Sequence, residues 1–197
     1  MKTTAHLLFG MIVAAFLGGC KGPAYDKELG EVSALRTKLD AADSMLKGID
    51  VEMTEKLAEE TESNFSYIQV AIAKIGDTLD WKSALLLTNF QQVKEGFESV
   101  SSNVDRLKAA IDSTRSNLEN LDHDLKNNSL SRTLTPQDCI EQETEHVNAI
   151  SEAIDELKEK IEGRKKAYDT LSPKIQTYIL QLNQRLNEKG QSPPPKK

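Results

Sequence analysis

The chain is poor in most of the residues that build reactive sites. Among its 197 residues are only two cysteines, Cys20 and Cys139, and three histidines, of which His6 stands in the first ten residues. Two cysteines cannot form the disulfide framework that staples small secreted domains. The two remaining histidines leave little for acid–base work, and no Ser/His/Asp or Cys/His set falls at a helix-compatible spacing. Glycine is sparse, at 10 residues, and forms no phosphate-cradling loop. Aromatic residues make up 5%, including a single tryptophan; with no strand-rich tract, this disfavours a sheet protein or a compact globular enzyme. Positive charge is also in deficit. Lys and Arg number 25 against 31 Asp and Glu, a net charge of −6, which excludes the basic footprint that nucleic-acid binding requires. Beyond residue 20 no apolar run is long enough to cross a bilayer. These absences point to a non-enzymatic protein with no cofactor, whose work lies in its shape and surface.

What the sequence does contain is helical periodicity. From Asp26 the apolar residues Val32, Leu35, Leu39, Ala42, Leu46, Ile49 and Met53 alternate steps of three and four, the a/d seam of a coiled coil. A step through Leu57 and Thr61 reads as a stutter, and Phe65, Ile68, Ile72 and Ile75 resume the seam. Gly76 suits a left-handed position after a helix, and Asp77 and Asp80 can cap the next one. A second seam runs Leu86, Phe90, Val93, Phe97, Val100, Val104, Leu107, Ile111, Leu118, Leu121, Leu125, with Thr114 as its polar intrusion. Thr135-Pro136-Gln137-Asp138 is a helix-start signal, a Thr cap followed by Pro and then an acid. The third seam runs Ile140, Val147, Ile150, Ile154, Leu157, Ile161, Tyr168, Leu171, Ile175, Tyr178 and Leu182, with Glu143 and Arg164 as polar exceptions. Pro173 lies inside it with the same phase on both sides, which predicts a kink near Ser172 rather than an end.

Three helices of about 26–75, 78–127 and 136–188 follow. Short connections make neighbours antiparallel. The expected fold is all-α, an elongated up-down-up three-helix bundle with coiled-coil-like packing, similar in shape to a stretched spectrin-type repeat. One continuous helix from 26 to 126 would be about 150 Å long and would leave half its seam wet. The narrow seam keeps a helical hairpin that forms a homo-oligomer as the architectural alternative.

The N-terminus carries the most specific motif. Lys2 and His6 precede an almost unbroken apolar run from Leu7 to Leu17, which ends in Leu17-Gly18-Gly19-Cys20. A charged start, a short apolar core and a terminal cysteine resemble the signal peptide and lipobox of bacterial lipoproteins, the type cut by signal peptidase II. The resemblance covers about 20 residues. It implies that residues 1–19 are a leader, that Cys20 is acylated on its sulfur and amine with palmitate-type chains, and that the protein is held to a membrane of the bacterial cell envelope. Residues 20–25 would be a lipidated tether, 26–190 the bundle and 191–197 a Pro/Lys tail. Without the leader the chain has 24 basic residues against 31 acidic ones, net −7. Lys21 is not the Asp associated with inner-membrane retention, so the outer membrane is favoured for a Gram-negative source.

Other candidate sites are slighter. Glu143-x-x-His146 matches half of the Glu-x-x-His pattern of di-iron bundles. Glu119 and His123 would come to a similar level, but His123 takes an outward register position. Cys139, in the first turn of the third helix, is expected to pack beside the seam as a small apolar residue, the alternative being a reactive thiol with its pKa lowered by the helix dipole. Trp81 is expected to fold over the end of the bundle rather than to serve as an exposed anchor. Lys196-Lys197 is expected to end a plain soluble tail; the alternative rests on its being similar to the C-terminal lysine that joins the small murein lipoprotein to peptidoglycan.

An odd number of antiparallel helices would carry the C-terminus and the Gly76 turn to the end far from the lipid. It would keep the 127–135 loop and Cys139 close to the membrane. The expected function is therefore a membrane-anchored envelope lipoprotein acting as a spacer or scaffold for a protein or cell-wall partner. A surface-exposed adhesin or ligand-binding lipoprotein, as in spirochaetes, is the alternative.

Overall fold

A computed structural model of the protein describes residues 25–76, 78–130, 133 and 135–190. The leader, the lipobox Leu17–Cys20 with its tether, the Asp77 cap and the tail at 191–197 lie outside the described residues.

Four helices are present among the described residues: α1 (Asp26–Lys47), α2 (Val51–Ile75), α3 (Trp81–Asn127) and α4 (Pro136–Glu188). Helices α1 and α2 form one arm with an elbow at 48–50, so the fold is an all-α, three-armed bundle. Long helices α3 and α4 extend about 70 and 80 Å at 1.5 Å per residue.

Local chemistry explains each boundary. Gly76 adopts φ +70° and its N–H reaches the Ile72 carbonyl at 2.9 Å, a left-handed close that only glycine accepts without cost. This turn excludes the continuous 26–126 helix. Helix α3 then starts at Trp81, three residues later than the sequence pattern predicts, because Asp80 is its cap and accepts from the Ser83 N–H at 2.9 Å. Helix α4 opens with the expected capping box. Thr135 Oγ1 accepts from the Asp138 N–H at 3.2 Å, and the Asp138 carboxylate accepts in return from the Thr135 N–H at 3.2 Å. The helix runs through Pro173 without ending.

The interruption of the first arm differs from the expected stutter. Chain direction changes at Gly48-Ile49-Asp50, where Asp50 caps α2 by accepting from the Met53 N–H at 2.9 Å. Beyond it the buried phase moves by one residue. Thr54, Ala58 and Thr61 face the core, while Met53 and Leu57 are only half-buried. Both threonine hydroxyls donate within their own helix, Thr54 to Val51 O and Thr61 to Leu57 O, each at 2.7 Å, so their burial leaves no unpaired donor.

The interior divides in two. One cluster joins α1 to the C-terminal half of α3 and the N-terminal half of α4, around Leu39, Ile111, Leu118 and Ile154. The other joins α2 to the opposite halves of α3 and α4, around Ile68, Phe90, Phe97 and Leu182. Between them α4 has no buried residue from Lys158 to Ala167, only the half-buried Ile161 and Ala167. At this waist Arg164, one of the polar exceptions, lies across Gly96; a Cβ on Gly96 would fall 2.6 Å from the Arg164 Nε. The other exception, Glu143, is buried at 8% exposure.

Polar contacts fix the register. At one end the Tyr25 hydroxyl donates to Asn128 Oδ1 at 3.3 Å. At the other, Lys189 Nζ donates to the Ile75 carbonyl at 2.6 Å, and Tyr67 donates to Asn183. The chain thus enters beside the α3–α4 loop, and α4 ends beside the α2–α3 turn.

Candidate functional site at the far end of the bundle

Five large hydrophobic side chains are exposed among the described residues: Val70, Leu79, Trp81, Leu85 and Leu180. All five belong to the end opposite Tyr25. Scattered surface apolar residues are ordinary, but their concentration at one end is informative. Trp81 is 79% exposed, which corrects the expectation that it closes the core. The reason is angular. Nine residues at 100° each set Trp81 half a turn round from Phe90, whose side chain is fully buried. Asp80, as the cap, fixes where the helix starts, so the indole cannot turn inward without unwinding that first turn.

Two open grooves flank this end. The larger, of about 380 Å³, lies between α2 and α3 and is lined by Phe65, Ile72, Ala73, Leu79, Ala84 and Leu87, with Gln69, Thr88 and Gln91 completing it. The smaller, of about 280 Å³, lies between α3 and α4, where Lys82 and Lys174 stand with Leu86 and Tyr178. The charge here differs from that of the whole chain. Residues 66–91 and 172–190 hold Lys74, Lys82, Lys174, Arg185 and Lys189 against Asp77, Asp80 and Glu188, net +2, which leaves −8 for the remainder of a chain at −6. The Asp80 carboxyl is held below the usual carboxylate value by the Ser83 N–H and hydroxyl, so it stays ionised as a cap.

The other candidates lie elsewhere. Glu143 Oε2 meets His146 Nδ1 at 3.4 Å, with the histidine side chain 46% exposed. His123 is exposed beside Asp124. No group of three His, Cys, Asp or Glu side chains suited to a metal ion occurs among the described residues. Cys139 packs half-buried against the first cluster. Its thiol pKa is raised, by burial first and then by the charges of Asp138, Glu143 and Asp124. The half-burial agrees with the expected packing beside the seam, while the shift runs opposite to the lowering that a helix terminus alone would give. Near the waist, burial and then Glu60 push the Tyr168 hydroxyl up to about 12; the ring packs against Phe90 and Phe97, at centroid distances of 6.1 and 6.4 Å.

No helix among the described residues is long and apolar enough to cross a membrane. No family model matches the chain, and neither a curated protein nor a solved structure matches it.

Proposed function

We propose that this protein is a bacterial envelope lipoprotein, anchored through acyl chains on Cys20, that acts as a non-enzymatic helical spacer presenting a binding end away from its membrane. The observation that carries this reading is the opposition of two ends. Tyr25, five residues after Cys20, is bonded to Asn128 at one end, whereas the exposed apolar residues gather at the other. A rod of about 80 Å, from the rise of α4, would separate them. The lipobox residues Leu17, Gly18 and Gly19 support the anchor. The net charge of −7 beyond the leader gives the shaft no attraction to anionic lipid, so acylation would carry the attachment.

The test compares wild type with Cys20→Ser in the producing cell. Wild-type protein should incorporate labelled palmitate and enter the detergent-rich phase on Triton X-114 partition; the variant should do neither. Equal partition of both would overturn the anchor. Protease treatment of intact cells separates an internal spacer, which is spared, from a surface adhesin, which is removed.

A further inference from the structure

We propose that the far end of the bundle is a membrane-docking tip that binds the surface of a bilayer containing anionic lipid. The inference deepens the proposed function and rests on its reading of this end as the binding end, not on acylation of Cys20. Three observations carry it.

The exposed apolar side chains surround the tip instead of forming one lateral face. Val70 lies on α2, Leu85 and Trp81 on α3 one turn apart, and Leu180 on α4, with Leu79 in the α2–α3 turn. A protein partner docking on one side would meet only some of them. A fluid interface entered end-on meets all of them together.

Their depth also matches. By helical rise Leu85 lies about 6 Å behind Trp81, Val70 about 8 Å behind Ile75 and Leu180 about 12 Å behind Glu188. Interfacial segments bury apolar groups about 5–10 Å into the headgroup boundary. Each of these side chains therefore lies within about 12 Å of the end of its own helix, with Leu79 in the turn between two of them, a spread close to the thickness of the headgroup boundary. An exposed indole is suited to this depth, with an apolar ring and a polar N–H.

Finally, the tip is basic on an acidic rod, at +2 against −8 for the remainder. Lys74, Lys82, Lys174 and Lys189 come from all three arms, so lipid phosphates would find cations on every side. The acidic shaft would be repelled from the same surface, which favours an upright approach over one lying flat. With a lipid anchor at the opposite end, the molecule would bridge two membranes.

The experiment uses the single tryptophan as its reporter. A chain starting at Lys21 is used, since both hydrophobic clusters are built from residues 25 and beyond. It is mixed with vesicles of phosphatidylcholine, alone or with one-third phosphatidylglycerol. Trp81 emission should shift to the blue, and the protein should float with the anionic vesicles only. Moderate salt should reverse both effects. Lys82→Gln and Lys174→Gln should each weaken binding about fivefold, and the Trp81→Ser, Leu79→Ser pair should abolish flotation. All four positions are exposed or lie on open grooves, and circular dichroism verifies that the helices persist. Three results would overturn the proposal. The protein could fail to float with anionic vesicles. It could bind both vesicle types equally, with no effect of the lysine variants. The indole could shift without lipid while the mass doubles, which would make a second copy the occupant. None of these bears on palmitate incorporation at Cys20, so the two readings fail separately.

Discussion

Gly163 and Gly76 offer a pair of substitutions in which crowding is absent and only backbone conformation differs. A Cβ added at either glycine meets no atom within 4 Å. Gly163 lies inside α4 at the waist between the two clusters, with ordinary helical φ, whereas Gly76 closes α2 at φ +70°. Changing Gly163 to Ala should stabilise the fold by about 0.8–1.0 kcal/mol, the helix-propensity difference. Changing Gly76 to Ala forces a side chain into the left-handed region at a cost of about 1–2 kcal/mol. Part of this is offset by about 0.4–1 kcal/mol from the stiffer unfolded chain. The net effect is a loss close to 1 kcal/mol. The two alanine variants should therefore differ by nearly 2 kcal/mol, or about 4–8 °C in Tm for a domain of this size. Urea and thermal unfolding followed by far-UV circular dichroism measure both. A Gly163→Ala variant no more stable than wild type would refute the reasoning, since it would mean that α4 is not a continuous helix across the waist. Gly76→Ala more stable than wild type would remove the left-handed turn, and with it the three-armed topology.

Three further outcomes follow from the packing and the charges. Phe90→Ala should cost about 3–5 kcal/mol, and hydrogen exchange should rise in α2 before it rises in α1, because Phe90 belongs to the second cluster alone; equal acceleration in both would make the interior one cooperative unit. Cys139 should react with iodoacetamide at neutral pH more slowly than an unstructured thiol, since its raised pKa leaves less thiolate; a faster rate would restore the helix-dipole account. The hydrogen bond from Lys94 holds Glu62 below its ordinary value of 4.5, so its contribution is complete above that pH and is lost as pH falls through the lower folded value. Glu62→Gln should flatten the acid limb of the stability profile, and an unchanged limb would show that the pair contributes nothing in solution.

Much of this architecture was legible because period and capping agreed. The α3 seam from Phe90 to Leu125 and the Thr135–Asp138 box could be read directly, as both are local signals. The elbow at Gly48–Asp50 is hidden in the sequence, because the apolar Ile49 and Met53 continue the seam across it. Burial of Thr54 and Thr61 could not be read from hydropathy. Small hydroxylated residues enter a core when helices pack closely and the hydroxyl is satisfied by its own helix. Trp81 misled for a different reason. Its size suggested burial, yet its phase against Phe90 already set it outward. The packing of Cys139 beside the seam is legible in the sequence, but the rise in its thiol pKa is not, because the carboxylates of Asp124 and Glu143 reach it only through tertiary packing and the turn of the helix. The candidate site itself, a set of residues from three arms sharing one end, exists only once the antiparallel register is known.

The split interior has a mechanical meaning. Tension between Tyr25 and the far turn would run along the helix axes, so the arms would be loaded in shear, with many side chains sharing the force, and not peeled one contact at a time. The elbow at Gly48–Asp50 and the waist on α4 then divide the rod into two links in series. Each link holds its own cluster of apolar contacts, and one can slip while the other stays intact. A rod built this way would lengthen in two steps under load.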